Sequence, residues 1–222
     1  MKSQNKYFSF ITFLAFLFIT FGCKSNEVKA AILNGMIYDA DNQPVPNVTI
    51  STLNNETTFS DVYGHFTFNN LIPDEDYELH LSKNGYESQT INFTFNTISS
   101  VMYIRMYSIS QLLSLAEDNI DKKDYDAALQ LLDRAETIPN NKASTSFLRA
   151  VVQYRLHEYD ATEKILLSLL NEGYKEQSIY LFLADLYENE LPDAEKAAEA
   201  LQQALSLNYN PEIENRLIKL YD

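Results

Sequence analysis

The chain has one cysteine, no tryptophan, five glycines and three histidines among 222 residues. With Cys23 alone, no disulfide and no thiolate metal cluster can form. So few glycines leave little room for a phosphate-cradling loop, and no Gly-x-Ser-x-Gly elbow or Cys-His pair occurs. His157-Glu158-Tyr159-Asp160-Ala161 begins like the zinc motif HExxH but places Ala161 where the second imidazole must stand. His65 and His80 sit in alternating segments without Cys or His at ligand spacing, so they read as ordinary strand positions. Carboxylate pairs are plentiful, yet in an acidic helical stretch they read as solvated faces. The expectation is a protein that is not an enzyme and holds no metal or cofactor.

Positive charge is also scarce. Lys and Arg number 17 against 31 Asp and Glu, a net charge of −14. That excludes nucleic acid as a partner and electrostatic adhesion to anionic lipid. There is one long apolar run, from Tyr7 to Phe21, preceded by Lys2 and Lys6 and closed by Gly22 and Cys23. At 15 residues it is short of the ~20 that a bilayer span needs, so residues 1–22 read as a secretory signal rather than a permanent transmembrane helix.

A cysteine directly after the small residue that closes such a run resembles the lipobox of bacterial lipoproteins. Thr20 and Phe21 stand where that family has Leu and a small residue. The resemblance implies an acylated Cys23 as the new N-terminus, residues 23–30 as a tether, and an outer-membrane lipoprotein of the cell envelope, on its periplasmic face or at the cell surface. The mature chain would carry 15 basic and 31 acidic residues, a net charge of −16, which leaves the acyl chains as the membrane attachment. Seven flexible residues after Cys23 reach ~15 Å, so the folded part would lie close to the bilayer.

Residues 31–107 alternate over short segments with frequent turn signals, the pattern of an all-β sandwich. Ile32, Met36 and Tyr38 are separated from Val48, Ile50 and Thr52 by the turn Asp41-Asn42-Gln43-Pro44. Thr58 and Ser60, Phe66 and Phe68, Tyr77, Leu79 and Leu81, Ile91, Phe93 and Phe95, and Val101, Ile104 and Met106 continue the series. Asn84-Gly85 reads as a two-residue hairpin. The acidic run Asp74, Glu75, Asp76 and Glu78 could offer oxygen ligands to calcium, but no Gly-containing ligand loop surrounds it, and a solvated turn is the plainer reading.

Gly35-Met36-Ile37-Tyr38-Asp39, Pro44-Val45-Pro46-Asn47-Val48-Thr49-Ile50, Ser60-Asp61-Val62-Tyr63-Gly64-His65-Phe66-Thr67-Phe68 and Lys83-Asn84-Gly85-Tyr86 together resemble the carboxypeptidase regulatory-like domain. The resemblance implies a seven-stranded immunoglobulin- or prealbumin-like sandwich without an active site of its own.

After Ser108 the period changes to that of helices with almost no linker. Ala116, Ala150 and Ala184 stand 34 residues apart, and so do Tyr125 and Tyr159, and Leu132 and Leu166. A 34-residue period is that of a helix-turn-helix repeat whose close packing demands small residues. The expected repeats are 109–142, 143–176 and 177–210, with Pro139-Asn140-Asn141 and Gly173 as stop signals and residues 211–222 as a capping helix. Thr162 and Leu169 replace small residues of the second repeat, where looser packing is expected.

These residues resemble tetratricopeptide repeats, so the whole reads as β then α: a sandwich followed by a three-repeat α-solenoid with a cap. The resemblance implies a groove, lined by the first helix of each repeat, that binds an extended peptide or a partner helix. Carried over by position, its residues are Leu113, Glu117 and Ile120, then Phe147, Val151 and Tyr154, then Leu181, Asp185 and Glu188. Helical spacing alone does not separate groove from interior for the apolar members. Family members that hold a peptide's terminal carboxylate use Lys, Arg and Asn at positions that here carry Leu113, Glu117 and Phe147. Residues 109–222 hold 11 basic and 21 acidic side chains, a net charge of −10, which favours a neutral or cationic protein or peptide partner. Two functions follow: an anchored protein-interaction scaffold at the bacterial envelope, or a glycan- or peptide-binding accessory of an outer-membrane uptake system, to which 15 tyrosines and 13 phenylalanines could contribute.

Overall fold

A computed structural model describes residues 30–54, 56–96 and 101–221. The expected signal segment, Cys23 and all but the last residue of the tether lie outside them.

Seven strands come first: β1 (Ala31–Tyr38), β2 (Thr49–Thr52), β3 (Thr57–Phe59), β4 (His65–Leu71), β5 (Asp76–Ser82), β6 (Gln89–Thr94) and β7 (Met102–Arg105). They form two sheets, β4-β1-β7 and β3-β2-β5-β6. β1 runs antiparallel to β4 and parallel to β7, and a parallel neighbour requires a crossover, so the chain visits the second sheet before it returns. Between the sheets lie Leu33, Ile37, Val48, Ile50, Phe66, Phe68, Leu79, Leu81, Phe95, Ile104 and Met106.

Two local expectations are corrected. The first strand buries Leu33, Gly35 and Ile37, while Ile32 is 58% exposed and Met36 and Tyr38 look outward. Apolar residues occupy both faces of β1, so alternation did not choose between them. The Phe66 ring does, because it fills the space where a side chain at position 35 would stand. Nor is Asn84-Gly85 a two-residue hairpin. The pairing of β5 with β6 stops at Leu81 and Gln89, and only Gly85 has a positive φ, +76°. Its carbonyl accepts the Ile109 N–H at 3.0 Å, and Tyr86 bridges to Ser108, so the loop is opened to dock on the start of the helical unit.

Seven helices follow: α1 (Ile109–Asp121), α2 (Tyr125–Glu136), α3 (Lys142–Arg155), α4 (Tyr159–Asn171), α5 (Gln177–Asn189), α6 (Ala194–Leu207) and α7 (Pro211–Lys219). Ser108 and Gln111 form a capping box at the start of α1, each side chain satisfying the other's backbone N–H. Asp124, Asp193 and Asn210 cap α2, α6 and α7. Single residues in the left-handed region end the turns after α1 to α4: Lys123, Asn140, His157 and Gly173. Ala116, Ala150 and Ala184 are fully buried, which is why the 34-residue period admits only a small side chain there. Thr162 is equally buried, its hydroxyl donating to the Glu158 carbonyl at 3.0 Å, so the larger residue is accommodated with its polar group satisfied. None of these helices is long and apolar enough to cross a membrane.

The two units are joined side to side as well as end to end. Arg134 of α2 donates two hydrogen bonds to the Glu87 carboxylate, at 3.0 and 2.7 Å, and its guanidinium lies 4.6 Å from the centre of the Tyr107 ring. The amide of Gln111 donates to Asp41 at 2.6 Å, and the Glu87 N–H to the Tyr107 carbonyl at 3.0 Å.

Candidate functional site

The first helices of the three pairs, α1, α3 and α5, share one face, and it carries a cleft of about 280 Å³. Leu113, Phe147, Leu148 and the buried Ile179 make its apolar floor, and Glu117, Ser144, Glu176 and Ser178 stand exposed around it. Among the described residues, none of these four polar side chains makes a hydrogen bond or an ion pair.

Beside the cleft runs a row of aromatic rings. Phe147 meets Phe182 edge-on at 5.8 Å, Phe182 meets Tyr154 at 5.4 Å, and Tyr154 meets Tyr159 at 5.6 Å. Such edge-to-face pairs hold the rings in fixed relation. The Tyr154 hydroxyl donates to Glu190 at 3.2 Å, and burial together with that carboxylate raises its pKa. The nearby Glu190 carboxylate also pushes Tyr159 up to about 12, while the Tyr159 hydroxyl meets His157 Nδ1 at 2.7 Å. Further along the same face, Arg216 of α7 donates to Asp185 at 2.6 Å and to Glu188 at 2.8 Å.

The nine positions expected to line a groove are thus divided. Leu113, Glu117 and Phe147 border the cleft. Val151 and Tyr154 are half-buried, Val151 against the cluster of α1 and α2 and Tyr154 within the aromatic row. Ile120 is corrected to the interior: it is 7% exposed and enclosed with Ala116, Ala128, Leu132 and Val152, because α2 folds back over that side of α1. Leu181 packs half-buried among α5, α6 and their neighbours. Asp185 and Glu188 are already paired with the chain's own Arg216.

Sequence reasoning missed Leu148, Ser144, Glu176, Ser178 and Ile179. A signal was present. Leu148, Phe182 and Arg216 are themselves 34 residues apart, on α3, α5 and α7, and each reaches back to the helix pair before.

On the sandwich, the acidic run is divided: Asp76 and Glu78 lie in β5, and Asp74 and Glu75 pair through the backbone with Phe95 after β6, the Asp74 N–H donating to the Phe95 carbonyl and the Phe95 N–H to the Glu75 carbonyl. Among the described residues no group of three or more His, Cys, Asp or Glu is arranged to hold a metal ion. Asp61 accepts the backbone N–H groups of His65 and Tyr63 at 2.9 and 2.8 Å, which holds its carboxyl below the usual range.

The fold is therefore a seven-stranded β-sandwich joined to an α-solenoid of three helix pairs and a capping helix. Residues 32–102 match the family model of the carboxypeptidase regulatory-like domain. Among solved structures, the helical part is similar to the first tetratricopeptide domain of Spaghetti (RPAP3) bound to an HSP90 peptide, at 18% identity and TM-score 0.44 over 51% of this chain and 90% of that one. It is also similar to the first such domain of human RPAP3, at 18% identity and TM-score 0.45 over 51% of this chain and 89% of that one. MamA from Desulfovibrio magneticus RS-1 gives 18% identity and TM-score 0.42 over 51% of this chain and 64% of that one. No curated protein matches the chain.

Proposed function

We propose that this protein is a non-catalytic interaction scaffold that holds an extended peptide or partner helix against α1, α3 and α5. The observation that supports this reading is the cleft those three helices share, with apolar side chains at its floor and unpaired polar ones at its margin. A peptide in such a place buries its apolar side chains and meets donors and acceptors at the rim. Ser144→Trp with Ser178→Trp fills the cleft from two exposed positions without touching the core. The expected result is loss of crosslinked partners from the full chain with an unchanged melting curve. Full recovery of partners would sink the reading.

The scaffold would be held at the bacterial envelope by an acylated Cys23, with residues 24–30 as a short tether. Cys23→Ala should release the protein from the membrane fraction, and complete retention would refute lipidation.

A second reading, a ligand-binding accessory of an uptake system, draws support from the outer face of the β4-β1-β7 sheet. There Tyr103, 68% exposed, stacks on Tyr38 with the rings 6.3 Å apart and only 16° from parallel. A flat pair of rings suits the apolar face of a sugar. Tyr103→Ala should then abolish retention on a glycan array, and a wild-type protein that binds no glycan would dismiss this reading.

A further inference from the structure

We infer that the cleft between α1, α3 and α5 is a pocket for one basic side chain, lysine or arginine, of an extended peptide, with its alkyl stem on Phe147 and Ile179 and its cationic head between Glu117 and Glu176. This rests on the scaffold reading and gives it a chemistry.

Size comes first. At about 280 Å³ the cleft lies just below the roughly 300–1,000 Å³ of sites that enclose a whole small ligand, so it suits a single long side chain. Its composition fits lysine or arginine, which lay a carbon stem along apolar surface while the head stays at the wet margin.

Charge decides the sign. Two carboxylates stand at the rim, and no Lys or Arg lines the cleft. The starts of α3 and α5 also lie there, and a helix N-terminus acts as roughly half a positive charge. Two such ends offset about half of two full carboxylate charges, so the pocket remains negative by about one unit. A phosphate or acidic side chain is repelled. A purely apolar side chain would leave both rim carboxylates without a partner.

The molecule already contains one instance of this chemistry. On the same helical face, 31 and 28 residues along the chain from their partners, Arg216 bridges Asp185 and Glu188. That guanidinium comes from α7, the next first-position helix, and it satisfies the acidic pair at the far end of the face. At the near end, Leu148 occupies the position that corresponds to Arg216, and among the described residues no basic group pairs with Glu117 or Glu176. The unfilled place is the one an incoming peptide would occupy.

The test uses the immobilised full chain and synthetic decapeptide pools with uncharged randomised flanks and a central Arg, Lys, Gln, Leu or Glu. Retention of the Arg and Lys pools at least tenfold above the Gln and Glu pools is expected. Glu117→Gln with Glu176→Gln should abolish the preference, whereas Glu195→Gln with Glu199→Gln, an equal charge change on the exposed side of α6, should keep it. Equal loss in both double variants would mean diffuse attraction to an acidic protein and would overturn the inference. It also falls if the Gln or Leu pools bind as well as Arg. Binding of uncharged pools that Ser144→Trp with Ser178→Trp abolishes would leave the scaffold reading standing alone. Retention of no pool would remove both.

Discussion

Gly35→Ala is the substitution with the most direct structural argument. The glycine faces inward on β1, and a Cβ built there would overlap the Cζ and Cε1 atoms of Phe66 and lie 2.9 Å from Cε2. Phe66 is 3% exposed and touches Phe68 edge-on at 6.3 Å, so its ring has no free direction in which to retreat. Overpacking of this kind costs about 1–3 kcal/mol. At roughly 4–8 °C per kcal/mol for a unit of this size, a melting temperature lower by about 10 °C is expected for the sandwich. Calorimetry of the full chain reads the shift, and hydrogen exchange by mass spectrometry locates it: peptides from β1 and β4 should lose protection while those from α3 to α6 do not. A double variant makes the reasoning refutable. Phe66→Leu removes the obstructing ring edge, so Gly35→Ala should cost much less in that background than alone. Additive effects, or a Gly35→Ala protein as stable as the wild type, would show that the ring is not what excludes a side chain at position 35.

Three more outcomes rest on side-chain contacts elsewhere in the molecule. Arg134→Met breaks a half-buried bidentate pair and should cost about 1–2 kcal/mol, between exposed and buried ion pairs, read as a lower melting temperature of the full chain. Glu163 accepts the Tyr187 hydroxyl at 2.6 Å and is paired with Lys196 at 3.1 Å; its carboxyl pKa is lowered, first by the tyrosine. A lowered carboxylate contributes stability above its unfolded pKa, ~4.3, that is lost as pH falls through the folded value, so Glu163→Gln should flatten the loss of melting temperature in acid. Tyr159, pushed up to about 12, behaves in the opposite sense, contributing below the ordinary phenol pKa and losing that contribution as pH rises through about 12. Tyr159→Phe should remove one phenol from the late part of an alkaline ultraviolet titration, and loss of an early one instead would contradict the influence of the Glu190 carboxylate.

The helical architecture was legible because its signal is periodic. Ala116, Ala150 and Ala184 are fully buried at the interval that their spacing announced. The sandwich was legible as alternation, yet the orientation of β1 was not, since Ile32, Met36 and Tyr38 on one side compete with Leu33 and Ile37 on the other. What settled it is the Phe66 ring over Gly35, a contact between residues 31 positions apart. The site was half legible. Leu113, Glu117 and Phe147 follow from position within the repeat, but Ile120 is hidden by α2, and the pairing of Arg216 with Asp185 and Glu188 joins acids and a base that no local pattern connects. The contact of Arg134 with Glu87 spans 47 residues and has no sequence signature at all.

That last contact bears on how load would travel through the molecule. With no linker between Tyr107 and Ile109, and with the guanidinium of Arg134 braced on both Glu87 and Tyr107, a pull on anything held against α3 or α5 would reach the sandwich through the side-chain brace as well as through the Ser108 backbone and the bonds beside it. Two attachment points resist torque where one would act as a swivel. A brace that holds would make the helical face and the strands turn together, so that a partner seated on the cleft would meet the sandwich at one angle.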